Sequence, residues 1–410
     1  REGEGRTVLI AGEPGFGKSR LVAALMERLH GEVFRSVRIY CAPQHQDSSL
    51  DPIIGYFEHA AGFVHTDTPA EKIEKLRTIF APAALAPDDL ALLADLLSLP
   101  TDGLANLILS PQRRKERTFE MLLQQLERVA GTRPMLIHLE DAHWSDPTTL
   151  ELFGLIIDRL KRLPVLLIVT FRPEFGSAWA SRSGVSQITL NRLDHRQSAT
   201  LVGEVAGGEC VTPDVIDQIV EVADGVPLFI EELTRALMET ASTRTTRSAA
   251  ATPLVVPGTL QALLMSRLDR LPVAREVAQV GAVIGRQFSH DLLTSIAEMP
   301  QAALQQGLDR LVASELVFRK GTPPDAVYTF KHALVQDTAY ESLLRSRRSQ
   351  LHARIVETLL KATPDLETTG PGLLAHHCAQ AGMIEQAASY YRQAGERSAE
   401  RAGLAETRNQ

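Results

Sequence analysis

The feature that most constrains this fold is the glycine-rich segment GEPGFGKS at residues 12–19. It fits the pattern G-x-x-x-x-G-K-[ST], with the apolar run TVLIA before it and the helical run LVAALMERL after it. Glycines allow backbone N–H groups to approach phosphate oxygens closely, and the positive end of the following helix attracts the same anion. The segment therefore predicts a strand, a phosphate-binding loop and a helix in direct succession.

The loop supplies most of the candidate nucleotide-binding residues. Lys18 is expected to contact the β- and γ-phosphates, and the hydroxyl of Ser19 is expected to bind Mg²⁺. The candidates are the loop and the residue after it: Gly12, Glu13, Pro14, Gly15, Phe16, Gly17, Lys18, Ser19 and Arg20.

From Thr7 to about Thr170, short apolar runs alternate with helical stretches, which is typical of a parallel sheet covered by helices. A long helical insert separates the second strand from the third. Beyond residue 190 the pattern is almost wholly helical. Strands are predicted at 7–11, 34–41, 134–140, 164–171 and 186–190.

Composition restricts the class of protein. The chain has 410 residues, of which 44% are hydrophobic, so it can form several globular domains. Its 43 basic and 50 acidic residues give a net charge of −7, and hence no overall attraction to DNA or to anionic membranes. Three widely spaced cysteines and no long apolar or signal-like run indicate a cytoplasmic protein. Because the chain begins at Arg1, we expect it to be a piece of a longer protein.

The later part of the chain is predicted to form several smaller domains. The segment 257–345 combines four helices with two short strands, the layout of a winged helix, although an unrelated helical bundle is the alternative. The last segment has the spacing of a tetratricopeptide helix pair, and one such pair requires further repeats to bury its face. The predicted boundaries are 1–190 for the nucleotide-binding α/β domain, 191–241 for a helical lid, 242–256 for a linker, 257–345 for the winged-helix-like domain and 346–410 for the start of a tetratricopeptide-like array.

Two acids end the predicted strand 134–140. We expect Glu140 and Asp141 to lie at the tip of the strand beside the phosphate loop, where one acid can bind Mg²⁺ and the other can activate water. By position Glu140 is the metal-side acid and Asp141 the general base, and the exchanged assignment stays open. His143 or Asp146 is a candidate for orienting the acids, while Trp144 is expected to serve packing.

Three further residues are candidates at the ends of other elements. Arg172 follows the strand that ends near Thr170, where a polar or basic group can sense the γ-phosphate; a surface ion pair is the alternative. Pro227 either packs on adenine or only begins a helix. His332 either reaches a diphosphate or is a structural histidine.

Two other segments resemble functional motifs less closely. The sequence NRLD at 191–194 is similar to the guanine-reading loop of GTPases, but its position at the start of a helix argues against guanine specificity. The basic run RSRR at 345–348 is expected to be a solvated helix face, with DNA binding as a minor alternative.

An ordered set of segments resembles the STAND-type AAA ATPase region of large bacterial signalling proteins. It is especially similar to the region that follows the class III adenylate/guanylate cyclase domain in multidomain cyclases, and LuxR-type regulators carry a related region. The resemblance covers nearly the whole chain. The segments are GEPGFGKSRL, CAPQHQDSSLDPII, SPQRRKERTFEMLL, LIHLEDAHWSDPTTLELF, VTFRPEF, DGVPLFIEEL, GAVIGRQF, FKHALVQDTAYESLL and LLAHHCAQAGMIEQAASYY.

The resemblance implies a regulatory ATPase switch that binds ATP or ADP and hydrolyses ATP slowly with Mg²⁺. It implies Mg²⁺ ligands at Ser19 and at Glu140 or Asp141, γ-phosphate sensing by Arg172, adenine packing by Pro227 and a diphosphate contact by His332. The implied partners are a covalently linked output domain, for which a cyclase is the first candidate, and further repeats that bind a protein or small-molecule effector. Any cyclase activity would lie outside these residues. The alternatives are the ATPase module of a LuxR-type transcription regulator and an ADP-holding scaffold without turnover.

Overall fold

The structure is a computed structural model that describes the chain except residues 1–3, 44–45, 47, 65–66, 81–84, 102, 106–108, 177, 208–210, 245–258, 363–369 and 402–410. The strands are β1 (Arg6–Ala11), β2 (Arg35–Tyr40), β3 (Met135–Glu140), β4 (Val165–Phe171), β5 (Val185–Thr189), β6 (Gln287–Ser289), β7 (Val317–Lys320) and β8 (Val327–Phe330). The helices are α1 (Lys18–Arg28), α2 (Asp51–Ala61), α3 (Pro69–Phe80), α4 (Pro87–Leu96), α5 (Pro111–Ala130), α6 (Pro147–Leu160), α7 (His195–Val205), α8 (Pro213–Ala223), α9 (Pro227–Arg244), α10 (Leu260–Asp269), α11 (Pro272–Ile284), α12 (His290–Ile296), α13 (Gln301–Ala313), α14 (Ala333–Glu341), α15 (Arg345–Ala362), α16 (Pro371–Ala381) and α17 (Ile384–Arg401).

The chain divides into two compact units. The first comprises Arg1–Ala11, Leu21–Thr189 and Leu359–Gln410, and the second comprises Gly12–Arg20 and Leu190–Thr358. The cut near residue 190 falls where the sequence predicts the end of the α/β domain. The phosphate loop, however, groups with the helical second unit, and the C-terminal helices group with the sheet.

The first unit is built on a five-stranded sheet in the order β2-β3-β4-β1-β5, and every strand pair is parallel. This confirms the predicted α/β class with a parallel sheet. The acid-bearing strand β3 is not a direct neighbour of β1, because β4 lies between them. Strand order depends on which crossover connection inserts a strand, and no local pattern in the sequence states it.

The central strands are buried on both faces, as expected for parallel strands covered by helices. All six residues of β3 are buried, including the charged last residue. Leu9, Leu139 and Leu167 are fully buried in the core of this unit. Each such leucine contributes about 1.5–3 kcal/mol to folding, so the sheet is a rigid base for residues at its carboxyl edge.

Helices α16 and α17 pack as a pair within the first unit. Leu374, Ala375 and Cys378 of α16 are fully buried, and Ala387 and Ala394 of α17 are nearly so. Together with the half-buried Tyr391, these five residues have the spacing that predicts a helix pair. Helix α17 also packs on α5.

The second unit contains α7 to α14, most of α15 and a small antiparallel sheet of order β6-β8-β7. Strands β7 and β8 correspond to the two short strands that the sequence predicts after residue 315, whereas the three-residue β6 was not predicted. Helix α9 continues to Arg244, so the linker cannot begin at 242. Its remainder from 245 lies outside the described residues.

Cys41 and Cys378 are free and buried, and Cys210 lies outside the described residues. Burial raises the pKa of the Cys41 thiol to about 12. Within the described ranges, no helix combines the length and apolarity needed to cross a bilayer.

Candidate nucleotide-binding site

The phosphate loop has backbone angles that favour glycine. Gly15 has a φ of 84° and Gly17 a φ of 90°, both in the left-handed region that other residues adopt only at a cost. A side chain at Gly15 would also bring its Cβ to 3.3 Å from Cγ1 of Val226. Position 15 therefore requires glycine both for its conformation and for the close approach of a neighbour.

Lys18, the first residue of α1, closes the loop. Its Nζ donates hydrogen bonds to the carbonyl oxygens of Gly12 at 2.7 Å and Glu13 at 3.1 Å, and the residue is only 9% exposed. Neutral carbonyls are weaker acceptors for an ammonium group than phosphate oxygens. The loop residues thus fit a phosphate group. The ammonium group of Lys18 is held at the loop by carbonyl oxygens, and phosphate oxygens can replace these as its acceptors.

The loop is also hydrogen-bonded to the start of α9. The backbone N–H of Leu228 donates to the carbonyl oxygen of Gly15 at 3.2 Å. Pro227 occupies the first position of α9 and is half-buried. Gly225 precedes it with a φ of 71°, and a Cβ there would lie 2.3 Å from the carbonyl oxygen of Leu193. Pro227 thus begins a helix whose first turn contacts the loop, and its packing on adenine stays a prediction.

His332 immediately precedes α14 and lies among charged groups of the second unit. Those groups are Glu231, Lys331, Arg286 and Arg235. Desolvation by burial lowers the pKa of His332 to about 4, and the neighbouring cations act in the same direction while Glu231 opposes them. Its Nε2 has no hydrogen-bond partner in the part of the chain that the structure describes. His332 is therefore a neutral imidazole at pH 7, and its predicted diphosphate contact stays a prediction.

The lowered pKa of His332 predicts a pH-dependent stability. The unfolded chain takes up a proton on this side chain near pH 6.5, whereas the folded chain does so only near pH 4. Acidification from pH 7 to 4 should therefore lower the free energy of unfolding of the wild type by up to about 3 kcal/mol more than that of His332→Gln. Urea unfolding of both proteins across this range measures the difference, with the exposed His30→Gln as control. If the free energy of unfolding depends on pH equally in the wild type and in His332→Gln, His332 is not buried in its neutral state.

Glu140 is the last residue of β3 and is 1% exposed. Its Oε2 accepts hydrogen bonds from Nη2 of Arg38 at 2.7 Å and from Nε at 3.0 Å. Arg38 lies on β2, and its side chain is about half exposed. Sequence reasoning missed this partner, since the contact depends on the parallel register that aligns Tyr40 with Glu140. The only signal in the sequence was that Arg38, a charged residue, lies between two apolar residues of a predicted strand.

Asp141 has a left-handed backbone with a φ of 57°. Its N–H donates to Oγ1 of Thr170 at 3.2 Å, and Thr170 is 1% exposed on β4. A left-handed aspartate costs of order 1 kcal/mol or more, and such strain concentrates at functional sites. The second acid is therefore held in place through its backbone, and Thr170 contributes by fixing that backbone.

Asp146 has a structural role that the sequence analysis did not assign. It caps α6: its Oδ1 accepts the N–H of Thr149 at 2.8 Å, and its Oδ2 accepts the hydroxyl of Thr149 at 2.6 Å. Oδ1 also accepts the N–H of Leu50 at 3.1 Å. These contacts give the fully buried carboxylate a helix-capping role, and its role in orienting the acids stays a prediction. The sequence Asp-Pro-x-Thr is itself a signal for a helix start.

The remaining residues near the acids form a stack. The ring of His143 lies 4.9 Å from that of Trp144, centroid to centroid, and the guanidinium of Arg172 lies 5.6 Å from the Trp144 centroid. Trp144 is thus a packing residue, as expected. Arg172 directly follows β4, is half-buried and makes a cation–π contact with Trp144. Its role as a sensor of the γ-phosphate stays a prediction.

Two weaker motifs have structural explanations. Asp194 caps α7 in a reciprocal capping box with Gln197, which supports the prediction of a helix start over a guanine-reading loop. In the basic run, Arg347 pairs with Glu298, and the guanidinium of Arg348 lies 5.0 Å from the Tyr340 ring centroid. These two arginines serve contacts within the unit and are not simply solvated.

Parts of the chain are similar to known proteins. Residues 1–169 match the family model of the AAA ATPase domain. A curated relative, an uncharacterized protein of Rhizobium meliloti (strain 1021), is 30% identical over 415 residues, a match that covers 99% of this chain and 40% of the relative. The chain thus spans about two fifths of the length of that relative.

Among solved structures, the chain is similar to a Pyrococcus horikoshii Signal Transduction ATPase with Numerous Domains (STAND) protein with a tetratricopeptide repeat sensor. The identity is 14%, the TM-score is 0.48, and the match covers 96% of this chain and 51% of that one. A Walker-type ATPase of Pyrococcus abyssi is 16% identical with a TM-score of 0.36, covering 81% of this chain and 90% of that one. The segment that carries the phosphate loop and the strand-end acids is, by the family match, similar to AAA ATPase domains.

Proposed function

We propose that this chain is a regulatory ATPase module that binds ATP or ADP at the loop Gly12–Ser19. The observation that carries the proposal is the glycine-dependent loop closed by Lys18, in a segment that matches the AAA ATPase family. Calorimetric titration of the purified chain with ATP and ADP tests it, and the absence of binding for both nucleotides would refute it.

Mg²⁺ is the metal implied by this function, and the residue types suit it. Hydroxyl and carboxylate oxygens are hard ligands, and Mg²⁺ at nucleotide sites is held by one or two of them together with phosphate oxygens. Ser19 would supply the hydroxyl, and Glu140 or Asp141 would supply the carboxylate. When bound, the ion neutralises charge on the β- and γ-phosphates during hydrolysis.

The switch character of the proposal is supported by the hydrogen bond between Gly15 and Leu228. A nucleotide at the loop would contact the same backbone segment that accepts a hydrogen bond from the first turn of α9. In the proposed mechanism, exchange of ATP for ADP changes the loop, and α9 transmits that change to the helices that follow. Pro227 would support the adenine, His332 would contact the diphosphate, and Arg172 would sense the γ-phosphate.

An ADP-holding scaffold without turnover is the second candidate. It is favoured by the pairing of Glu140 with Arg38, which occupies one carboxylate oxygen with a guanidinium. An acid that is neutralised in this way is a weaker metal ligand and a weaker base. The two candidates differ in whether phosphate is released.

Glu140→Gln and Asp141→Asn separate these candidates. For the ATPase, we expect each variant to lower steady-state phosphate release by 100-fold or more, roughly the contribution of a positioned acid–base group, while ADP affinity stays within threefold. A colorimetric phosphate assay measures the rate. If the wild type releases no phosphate above buffer while it binds ADP, the scaffold is the correct description. Glu174→Gln, an exposed acid after β4, is the control.

We further propose a wider architecture for the parent protein. The match to 40% of a longer relative supports a module linked to an output domain, for which a cyclase is the first candidate and a LuxR-type output the alternative. The hairpin of β7 and β8 with its preceding helices would be the winged helix, and α16 and α17 the start of a tetratricopeptide array that binds an effector. We propose a cytoplasmic location for this module.

A further inference from the structure

The first unit contains a cavity, partly open to solvent, that the nucleotide site does not use. Its volume is about 170 Å³, and it lies between the sheet and helices α2, α3, α5 and α6. An engineered cavity of about 150 Å³ in another protein is large enough to bind benzene. Most of the wall is apolar, and Val37, Phe57, Leu126, Phe153 and Ile156 are among the residues that form it.

One wall residue does not fit an apolar core. Gln125 of α5 is 4% exposed, and both its Oε1 and its Nε2 are buried without a hydrogen-bond partner among the described residues. A buried polar group left in this state costs about 1–3 kcal/mol. A ligand that both donates to Oε1 and accepts from Nε2 would recover that cost, so the amide defines the polar end of a binding site.

The rest of the cavity restricts the ligand further. Among the described residues, the polar lining consists of Gln125, of Arg35, which is exposed on β2, and of Tyr56, which is half-buried on α2. Burial raises the pKa of Tyr56, so its hydroxyl is protonated at neutral pH. The interior thus offers an apolar space large enough for about one aromatic ring. Beside it lies the neutral amide of Gln125, which has both a donor and an acceptor. A charged ligand would lose hydration among these apolar residues. For an anion, the opposite charge in the described lining is Arg35, which is exposed, so that water screens its attraction.

We propose that this cavity binds a small aromatic primary carboxamide. The ligand amide pairs reciprocally with Gln125: its N–H donates to Oε1, and its carbonyl accepts from Nε2. The ring occupies the space among Phe57, Phe153 and Ile156. None of these residues belongs to the phosphate loop or to the strand-end acids, so the proposal goes beyond the nucleotide function and is independent of it.

Benzamide is the probe, and toluene and benzoate are its matched controls. Toluene keeps the ring without the amide, and benzoate replaces the neutral amide by a charge. Calorimetry and thermal unfolding of the full chain should show saturable binding of one benzamide with a Kd of about 0.1–1 mM, the range open to so small a ligand. Toluene and benzoate should bind at least about 10-fold more weakly.

Two variants assign the binding to this cavity. Gln125→Leu should weaken benzamide at least about 10-fold and remove the preference over toluene, whereas Gln124→Leu, one position away and exposed, should change neither. Ala60→Phe, at an exposed lining position on α2, should block benzamide without repacking the core. ATP affinity, measured in each variant, reports folding and keeps the two proposals separable.

Three results would overturn the proposal. They are no benzamide binding up to roughly 10 mM, equal binding of benzamide and toluene, and unchanged benzamide affinity in both Gln125→Leu and Ala60→Phe. Equal binding of the two probes would mean that the amide pairs with trapped water and that the cavity recognises only apolar shape.

Discussion

Replacement of Lys18 by alanine is expected to weaken ATP and ADP binding roughly 100-fold, because charge-assisted contacts to phosphate are lost. In the structure its Nζ donates hydrogen bonds to neutral carbonyls of the loop. Because carbonyls are weaker acceptors for an ammonium group than phosphate oxygens, we expect the stability of the nucleotide-free fold to change less than the nucleotide affinity. Calorimetric titration gives the affinities, and thermal unfolding without nucleotide gives the stability.

The control for Lys18→Ala is Lys161→Ala, which removes one positive charge from an exposed position just after α6. It should bind both nucleotides as the wild type does. The proposed site is wrong if Lys18→Ala binds ATP with wild-type affinity. A large fall in the melting temperature of the nucleotide-free variant would instead mean that Lys18 mainly holds the loop together.

Removal of Glu232 is expected to produce the largest loss of stability. Glu232 on α9 and Arg267 on α10 form an ion pair in which both side chains are nearly fully buried. Arg267 also donates from Nη2 to the carbonyl oxygen of Ser314 at 3.1 Å. Glu232→Ala leaves the guanidinium buried without its counter-charge, which should cost about 3–5 kcal/mol. Urea unfolding followed by circular dichroism measures the loss.

A double variant separates the cost of an unpaired charge from the value of the pair. Glu232→Leu combined with Arg267→Met replaces both charges by apolar side chains, and such replacements are often neutral or stabilising. We expect the double variant to lie within about 1 kcal/mol of the wild type. A double variant as unstable as Glu232→Ala would show that the pair itself stabilises this part of the second unit.

The sequence predicted well those features that depend on local pattern. The apolar runs gave five strands within one or two residues of their observed bounds, and the glycine spacing located a loop with two left-handed glycines. The three-residue β6 was missed because a strand this short has no periodicity to detect. The position of β4 between β3 and β1 was missed because neighbouring strands need not be consecutive in the chain.

The candidate site was predictable as a set of residue types but not as a set of contacts. Glu140 and Asp141 were identified from their place at a strand end, whereas Arg38 was not, because its partner lies 102 residues away. Thr170 was expected at a sensing position, and its bond to the backbone of Asp141 depends on the pairing of β3 with β4. The capping role of Asp146 was not predicted, although a local helix-start pattern was present.

The contact between Gly15 and Leu228 makes one amide a reporter of the loop. The first N–H groups of a helix have no acceptor within the helix, and Leu228 is only 5% exposed, so its N–H relies on the loop carbonyl. Whenever the loop moves away, this amide becomes open to exchange with solvent deuterium. The exchange rate at Leu228, followed with and without nucleotide, would therefore show how far a bound nucleotide favours the closed loop over the open one.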